Sequence, residues 1–372
     1  MELSEVLEDD LELLVQSIED VLSNECGSQA LHKFYDGENA LDTDLWRQAS
    51  DLGWLAIGLT EELGGLEMGY RGLDVLHRAL GRAGAPGGFI PTLVGAQWLS
   101  QVADERLLQE LMPRFVAGEL EFAVPAALGG VALEERDGFL SGTSSLLMGG
   151  SETCVAIVPV GVVGGRGFAV VEADGRTAVM EPAELWDRTR PAGKLVCNQA
   201  KPLALIADAD GAVARCYLSN MTLAVAADCV GAARRIAGQT VDYLKERVQF
   251  GKPLATLQAL KHRCADLFLK ITPAEDLLNH AVDAASRADR SALMWCALAK
   301  AAASDAFRFV AADCVQLHGG VGHTWEFDCH IFLKRALLNE ELGGRNAILR
   351  DLAAEELNLA AMKGISTMEI AA

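Results

Sequence analysis

The first 120 residues carry apolar side chains at the spacing of amphipathic helices. The series is clearest at Leu11, Leu14, Val15, Ile18, Val21 and Leu22. A further helix is predicted to begin near Trp46, with Asp42 or Thr43 as its N-cap, because a side-chain oxygen there can accept a free backbone N–H. Another helix, through LDVLHRALGRAG, is predicted to end at Gly84. These patterns predict an all-α N-terminal domain over residues 1–120.

From residue 121 the pattern changes to short, valine-rich runs. Glycine, aspartate and proline separate these runs, which read FAVPAA, GFLSGTSS, CVAIVPVGVV, GFAVVEADG, TAVMEP, KLVCNQA and PLALIAD. Apolar runs between turn residues predict β-strands joined by tight turns. We therefore expect a middle β-domain over residues 121–213.

Helical spacing returns at ARCYLSNM (214–221) and continues almost to the end of the chain. Three apolar faces can be traced, on Leu223, Ala226, Val230, Ala233, Ala237 and Leu244, on Leu257, Leu260, Cys264, Leu267 and Ile271, and on Met294, Ala297, Leu298, Ala301 and Ala302. Small side chains on these faces favour close antiparallel packing of helices. The sequence predicts a C-terminal α-helical domain over residues 214–372, and hence an α+β fold in the order α, β, α.

Composition narrows the classes of partner. The 372 residues carry a formal charge of −20, so the phosphates of nucleic acid or of an anionic membrane would be repelled. The acidic, amphipathic start does not have the pattern of a signal peptide, and no apolar stretch is expected to be long enough to span a bilayer. The nine cysteines include no CxxC pair, so no metal or redox centre is expected. We expect a cytoplasmic protein.

Two longer motifs resemble those of the acyl-CoA dehydrogenase family of flavoproteins. They read ERVQFGKPLATLQALKHRCADL (246–267) and QLHGGVGHTWEFDCHIFLKRA (316–336). Weaker support comes from ELGGLEMG and ALGRAG in the first helical part and from WDRTRP (186–191) in the predicted sheet. The resemblance covers essentially the whole chain. It implies an N-terminal helical domain, a middle β-domain and a C-terminal four-helix bundle, with subunits usually assembled as a tetramer.

The resemblance also implies an FAD site that is shared between subunits. In the family, the isoalloxazine ring lies in the β-domain of one subunit, and the adenosine diphosphate end is held by the bundle of its neighbour. The match would place Arg247 on the pyrophosphate, since a guanidinium suits phosphate oxygens, and Phe250 near the adenine or ribose. The run QLHGG would supply backbone N–H groups to the cofactor. The remaining positions implied to bind the cofactor are Gln249, Leu257, Gln258, Gln316, Leu317, His318, Gly319 and Gly320.

Each of these positions also has an explanation within the chain itself. Arg247 could pair with Glu246 or Asp242 at the surface. The pair Gly319-Gly320 could form a plain helix C-cap. Three ring-bearing residues near these motifs are interpreted as packed residues: His318, Trp325 and Phe332.

The reaction of the family needs a carboxylate that is missing at the expected places. In α,β-dehydrogenation of an acyl-CoA thioester, a base removes an α-proton while the β-hydrogen leaves as hydride to the flavin. The family places this glutamate at one of two positions, which correspond here to Met221, beside Thr222, and to Gly343. Glu340 and Glu341 lie two or three residues short of the second position. They are weak candidates for the base in a shifted register, and a solvated helix end is the favoured interpretation.

The half-site for the flavin ring departs from the family as well. Family members carry a Thr-Glu-Pro turn that ends in Gly-Ser, followed by a Trp-Ile-Thr strand. The matching segments here read AVPAALGGVALEE (123–135) and SLLMGGSET (145–153). Ser151 or Thr153 could substitute, although nothing in the spacing requires it. The positions for the nucleotide end are thus kept while those for the ring are lost.

Three functions are compatible with this asymmetry. The favoured hypothesis is a subunit that completes the FAD site of a second, catalytic acyl-CoA dehydrogenase-family subunit in an α2β2 complex, of the type that acts on CoA thioesters of steroid side chains. One alternative is a self-sufficient homotetrameric acyl-CoA dehydrogenase with an unrecognised base, and another is a non-enzymatic scaffold of the same fold. The resemblance implies FAD as cofactor, an acyl-CoA as ligand, electron transfer flavoprotein as the usual acceptor, and a role in fatty acid or steroid degradation.

Overall fold

The N-terminal part is helical, as its apolar periodicity predicts. The computed structural model describes residues 2–129, 133–151, 153–162, 165–325 and 327–362. The first part contains α1 (Glu2–Glu25), α2 (Ser28–Tyr35), α3 (Leu41–Asp51), α4 (Gly69–Ala83), α5 (Phe89–Val102) and α6 (Glu105–Val116). Helix α4 ends at the predicted place, with Gly84 in the left-handed conformation. The predicted cap of α3 is wrong: the helix begins at Leu41, so Asp42 and Thr43 lie in its first turn.

The middle part is a nine-stranded sheet in the described residues. Its strands are β1 (Phe122–Pro125), β2 (Leu133–Arg136), β3 (Phe139–Thr143), β4 (Leu147–Met148), β5 (Val155–Val162), β6 (Gly165–Glu172), β7 (Ala178–Pro182), β8 (Ala192–Ala200) and β9 (Ala204–Ala207). Because β1 pairs with both β4 and β5, six strands close into a ring in the order β1-β4-β8-β3-β2-β5. Strands β6 and β9 extend the sheet beyond β5, and β7 pairs with β8. Small and medium apolar side chains, such as Ala123, Leu140 and Val158, form its core.

The C-terminal part returns to helix. It contains α7 (Ala212–Glu246), α8 (Gln258–Ser286), α9 (Ala292–His318), α10 (Cys329–Glu341) and α11 (Asn346–Met362), and a short hairpin of β10 (Val248–Gln249) and β11 (Lys252–Pro253) joins α7 to α8. Helix α7 packs on α9 and also crosses α4. Gly81 and Gly231 permit this crossing, because a Cβ on either would lie 2.2 or 2.0 Å from a backbone carbonyl oxygen of the other helix.

Helix α7 corrects one expectation from the sequence. An 18-residue window within it has a mean hydropathy of 1.2, which by length and composition is sufficient for a membrane span. However, 83% of that window is buried inside the protein. The helix is apolar because it packs against other helices on nearly all sides, as expected for a core helix.

A buried polar network connects the three parts of the chain. Asp228 of α7 is fully buried and pairs with Arg190 of the loop before β8 (2.7 Å) and with Arg335 of α10 (2.5 Å). Burial opposes ionisation of Asp228, but the two guanidinium groups outweigh it and hold the pKa of this carboxyl well below its usual range. Arg335 also donates a hydrogen bond to the carbonyl oxygen of Ala85, beyond the end of α4. One carboxylate therefore links α4, the β-sheet and the bundle.

The secondary structure changes between Val116 and Phe122 and again between Ala207 and Ala212. These changes motivate a division into domains at 1–120, 121–213 and 214–372, which we retain as a proposal. Residues 1 and 363–372, at the outer ends of that division, lie outside the described residues. So do residues 130–132 and Glu152, which belong to the two segments compared with the flavin-ring motifs.

Candidate cofactor site

The hairpin between α7 and α8 presents its tip to solvent. Phe250 and Gly251 form the turn with φ angles of 54° and 77°, a left-handed pair that is typical of tight hairpin turns. The ring of Phe250 is 89% exposed. A large aromatic side chain at this exposure contributes little to the stability of its own chain, and its ring is accessible to another molecule.

Arg247 lies at the base of this hairpin, beside a cleft of about 530 Å³. We call it the hairpin cleft; its lining includes Asp242, Tyr243, Glu246, Arg247, His318 and Asp328. Within the described part of the chain, Arg247 forms no ion pair, whereas Asp242 pairs with Lys245 at 2.8 Å. The surface pairing considered for Arg247 is therefore not observed, and its guanidinium is available to an anionic group.

Asp328 would be the main electrostatic obstacle to an anion in the hairpin cleft, but its charge is compensated. It is 4% exposed and accepts hydrogen bonds from His32 (3.0 Å), Arg235 (3.3 Å) and Ser28. Arg235 supplies a full positive charge to it. Asp242 and Glu246, which remain at the rim, are exposed, and dissolved salt screens exposed charges.

His318 is a packed wall residue of the hairpin cleft. Its ring stacks on Tyr243 with centroids 4.3 Å apart, and its Nδ1 lies 2.9 Å from the carbonyl oxygen of Cys314. Burial lowers the pKa of the imidazole, because the charged form loses its hydration. His318 is therefore neutral at pH 7 and serves as an aromatic surface.

The glycines after His318 combine two roles. Gly319 ends α9 with φ 67°, and its N–H donates to the carbonyl oxygen of Gln316, so it is a C-cap as the alternative interpretation held. Both Gly319 and Gly320 are exposed, and nothing lies within 4 Å of the position that a Cβ would occupy. A ligand could approach the backbone there without meeting a side chain.

The other residues implied by the resemblance do not all face the hairpin cleft. Gln316 is exposed and lines a separate groove of about 900 Å³ between α8 and α9. Leu317, between Gln316 and His318 in the sequence, is buried. Gln249 is exposed within the hairpin, Leu257 is partly buried, and Gln258 is exposed at the start of α8. The structure thus brings Arg247 and His318 together and leaves Gln316 in the neighbouring groove.

The two positions at which the family carries its base lie side by side. A Cβ on Gly343 would be 3.2 Å from Cγ2 of Thr222 and 3.4 Å from Cγ of Met221. Met221 and Thr222 are fully buried, and the N–H of Gly343 donates to the carbonyl oxygen of Ala126 at 2.7 Å. This location is therefore closed by apolar groups and by a backbone hydrogen bond, and neither of its two positions carries a carboxylate.

Glu340 and Glu341 are engaged elsewhere. Glu340 pairs with Arg308 at 3.1 Å, on the groove that contains Gln316. Glu341 pairs with Arg345 at 2.9 Å and its side chain is 55% exposed. Both carboxylates take part in ion pairs; Glu341 lies at a solvated helix end, whereas the side chain of Glu340 is only 20% exposed.

The segments that correspond to the ring motifs offer few polar groups. Ser151 and Thr153 are exposed, and the hydroxyl of Ser151 donates only to the carbonyl oxygen of Thr153 at 3.3 Å. Leu147 and Met148 of β4 are buried. No arrangement of hydroxyl and amide donors that could replace the Thr-Glu-Pro and Trp-Ile-Thr motifs is found among the residues described in these segments.

One packing prediction is wrong. Trp325, predicted to be core, is 52% exposed, whereas Phe332 is fully buried as predicted. Trp325 lies between the 3-10 turn Gly319–His323 and α10, where no helical repeat fixes its direction. Trp186, which begins the WDRTRP motif but received no role of its own in the sequence analysis, is 82% exposed.

Two family models match the chain on either side of the sheet. The acyl-CoA dehydrogenase N-terminal domain matches residues 8–119, and the C-terminal domain matches residues 210–358. The chain belongs to the acyl-CoA dehydrogenase family. Members of this family are oxidoreductases that act on the CH–CH group of acyl-CoA thioesters with FAD as cofactor, which confirms the fold, reaction class and cofactor expected from the resemblance.

Several acyl-CoA dehydrogenases are similar over most of the chain. IpdE2 of Mycobacterium tuberculosis is 28% identical over 348 residues, which cover 92% of this chain and 96% of that protein. FadE34 of the same organism is 30% identical over 320 residues. The matched region covers 84% of this chain but only 42% of FadE34, which is longer. Among solved structures, a single-substitution variant of the Tcur3481-Tcur3483 steroid ACAD has a TM-score of 0.85 at 26% identity, covering 96% of this chain and 99% of that one.

The residues of this chain fit one half of FAD better than the other. Arg247 provides an available cation, and Gly319 and Gly320 leave their backbone open to a ligand. The place of the base is occupied by Met221 and Gly343. The site residues thus suit a diphosphate group but not the chemistry at a flavin ring.

Proposed function

We propose that the chain is the partner subunit of a heteromeric acyl-CoA dehydrogenase, in which it completes the FAD site of a catalytic subunit. The observation that carries this proposal is the contrast between the two half-sites. The location of the base is closed by buried Met221 and Thr222 beside Gly343. The guanidinium of Arg247 and the ring of Phe250, by contrast, are exposed to whatever docks against the hairpin.

Each residue then has a definite role toward the FAD of the neighbouring subunit. Arg247 binds the pyrophosphate through a bidentate contact, which guanidinium groups form well with phosphate oxygens. Phe250 packs near the adenine or the ribose, and Gly319 and Gly320, which carry no side chains, let the cofactor approach the backbone closely. The residues that complete the contact surface are Gln249, Leu257, Gln258 and His318, whereas Gln316 lies in the neighbouring groove and Leu317 is buried, so these two support the surface without contacting the cofactor. Bound FAD supplies the hydride acceptor, and the catalytic subunit supplies the base.

The self-sufficient homotetramer is the alternative function. It requires Glu340 or Glu341 to act as the base. Both are committed to Arg308 and Arg345, and neither occupies the location beside Met221. The observation therefore favours the partner subunit over the homotetramer and over a scaffold, since a scaffold has no need of an available Arg247.

The substrate class is proposed on similarity. The steroid ACAD structure that is 26% identical to this chain supports a CoA thioester of a steroid side chain as the substrate of the complex. We further propose that electron transfer flavoprotein accepts the electrons and that the complex is cytoplasmic.

The visible absorbance of flavin tests the proposal. Purified alone, the chain is expected to be colourless. Co-expressed with a family member that retains the Thr-Glu-Pro and Trp-Ile-Thr motifs and a glutamate base, it should form a yellow complex that bleaches on addition of the acyl-CoA. A yellow, thioester-bleached protein from this chain alone would establish the homotetramer instead. A protein that is colourless both alone and after co-expression would support the hypothesis of a non-enzymatic scaffold.

The variant Arg247→Ala makes the assignment specific. In the complex it should retain less FAD after gel filtration, because the pyrophosphate loses its cation. The matched control is Arg136→Ala, which removes an arginine whose side chain is 81% exposed and lies in β2. Equal retention of FAD in the two variants would rule out the role given to Arg247.

A further inference from the structure

A second cleft, of about 770 Å³, lies between the loop before β8, α2 and α10, and the proposed function does not use it. We call it the tryptophan cleft and define it by Tyr35, Trp186, Asp187, Arg188, Trp325 and Lys334, which are among its lining residues. Trp186 is 82% exposed and Trp325 is 52% exposed. Exposed indole rings beside a cleft of this size are a common feature of binding sites.

One of the two exposed indole rings, that of Trp325, is held in place by neighbouring rings. Trp325 lies 6.1 Å from the ring of Tyr35 and 4.6 Å from that of His330, measured between centroids. These contacts restrain the indole of Trp325 while half of its surface stays exposed. A restrained, exposed aromatic ring is a surface on which a nucleobase can stack.

Asp187 lines the same cleft and has an unused acceptor. It is 1% exposed, and its Oδ1 accepts hydrogen bonds from the hydroxyls of Tyr35 (3.1 Å) and Thr189 (2.6 Å). Its Oδ2 has no hydrogen-bond partner among the residues that the structure describes. A buried carboxylate oxygen without a donor is unfavourable. A ligand that brought an amino group to the floor of the cleft would satisfy it.

Three cationic side chains line the cleft, of which Arg190 is buried and paired with Asp228, so two remain for a ligand. Arg188 is exposed, and it donates one hydrogen bond to the carbonyl oxygen of Tyr35. The ammonium of Lys334 lies 5.0 Å from the ring centroid of Tyr35 and 5.7 Å from that of Trp325. Glu184 is the opposing charge at the rim. Cations beside aromatic rings suit a ligand in which a planar base is joined to a phosphate group.

We propose that the tryptophan cleft binds an adenine nucleotide. The base stacks on Trp186 and Trp325, its exocyclic amino group donates to Oδ2 of Asp187, and its phosphates pair with Arg188 and Lys334. The shared chemistry is adenosine diphosphate, which could come from free ADP or from the nucleotide end of a coenzyme A molecule. Because none of these residues belongs to the hairpin cleft, the inference stands apart from the proposed function.

Isothermal titration calorimetry of the purified chain tests this inference. All titrations are made in an Arg247→Ala background, so that binding at the hairpin cleft does not contribute. ADP is expected to bind with a dissociation constant below about 1 mM. Trp186→Ala should weaken binding by about fivefold or more, since loss of a stacking ring has an effect of this size, and Trp186→Phe should recover most of it. Trp186 is exposed, so neither variant is expected to unfold the protein.

Two further ligands and one variant identify the contacts. Inosine diphosphate places a carbonyl oxygen where adenine has its amino group, so it should bind more weakly than ADP. Asp187→Asn should reduce this preference for adenine, with thermal unfolding as the check that the variant is folded. Adenosine 3′,5′-bisphosphate and coenzyme A distinguish the two sources of the nucleotide. If these two ligands bind clearly more tightly than ADP does, the natural ligand of the cleft is coenzyme A. If they bind as tightly as ADP does, the natural ligand is the free nucleotide. Absence of binding by all of these ligands, or binding that Trp186→Ala leaves unchanged, would overturn the inference.

Discussion

At the scale of single residues, the fully buried carboxylate of Asp228 has the largest expected effect on stability. Its negative charge offsets the positive charges of Arg190 and Arg335, which are both almost completely buried. Removal of one member of a buried ionic network leaves the others uncompensated, at a cost of about 3–5 kcal/mol. The interaction also joins α7 to α10 and to the loop before β8, so its loss affects the contacts between all three parts.

We expect Asp228→Asn to lower the free energy of unfolding by about 3 kcal/mol or more. Urea denaturation followed by circular dichroism measures this quantity. The control is Asp242→Asn in the same helix, which removes an exposed partner of Lys245 and should change stability by less than about 1 kcal/mol. Similar values for the two variants would contradict the importance given to the network.

His77 gives stability a definite pH dependence. It lies in α4, is 2% exposed, and burial lowers the pKa of its imidazole to about 4. Because the unfolded chain binds a proton there near pH 6.5 and the folded chain does not, stability is lost as the pH falls from about 6.5 to about 4. The loss is about 3 kcal/mol for a shift of this size. His77→Gln should flatten this part of the stability curve, whereas His262→Gln, which alters a histidine at the surface of α8, should not.

At this scale the sequence identifies residues but not always the direction of their side chains. Gln316 and His318 belong to one motif, yet residues two apart point to different sides of a helix, so one lines the groove and the other the hairpin cleft. The motif alone does not show this separation unless the helix is known to continue through His318. Trp325 is predicted to be a core residue, but it lies in a turn after the 3-10 segment and is 52% exposed.

At the scale of elements, the crossing of α4 and α7 depends on two glycines. Gly231 is buried in α7, and a Cβ there would lie 2.0 Å from the carbonyl oxygen of Arg78. Gly238, two turns further along the same helix, has nothing within 4 Å of its Cβ position. The two positions therefore separate the effect of helix propensity from the effect of close packing.

Gly231→Ala should destabilise the protein by about 1–3 kcal/mol or more, because the helices must move apart. Gly238→Ala should stabilise it by about 0.5–1 kcal/mol, because alanine favours the helix over glycine. The midpoints of urea denaturation for the two variants should move in opposite directions. A stabilising Gly231→Ala would show that the crossing is looser than the structure indicates.

The order of elements could be predicted from apolar periodicity because each class has its own repeat. Runs such as CVAIVPVGVV became the long strand β5, and the small-residue faces became α7 and α9. The closure of the sheet through pairing of β1 with β5 could not be predicted, since it joins residues far apart in the chain. The beginning of α3 was also missed, because a single Asp or Thr before an apolar run does not fix which residue is the cap.

At the scale of the whole molecule, the two half-sites determine how many flavins an assembly can hold. The chain offers contacts for the nucleotide end at Arg247 and lacks the base at the location of Met221 and Gly343. If the proposed function holds, a flavin ring finds a site only in the catalytic subunit. The number of bound FAD molecules then equals the number of catalytic subunits and not the number of chains.

We therefore expect one FAD for each pair of unlike subunits in the purified complex. Flavin absorbance after release by denaturation, divided by protein concentration from amino-acid analysis, measures this ratio. Met221→Glu, which places a carboxylate at the location of the base, should not raise the ratio, because the ring contacts are still missing. It should instead destabilise this subunit, since the new charge is buried without a partner. One FAD for every chain would mean that the ring is held by residues other than those of the family motifs, and the asymmetry between the half-sites would lose its functional meaning.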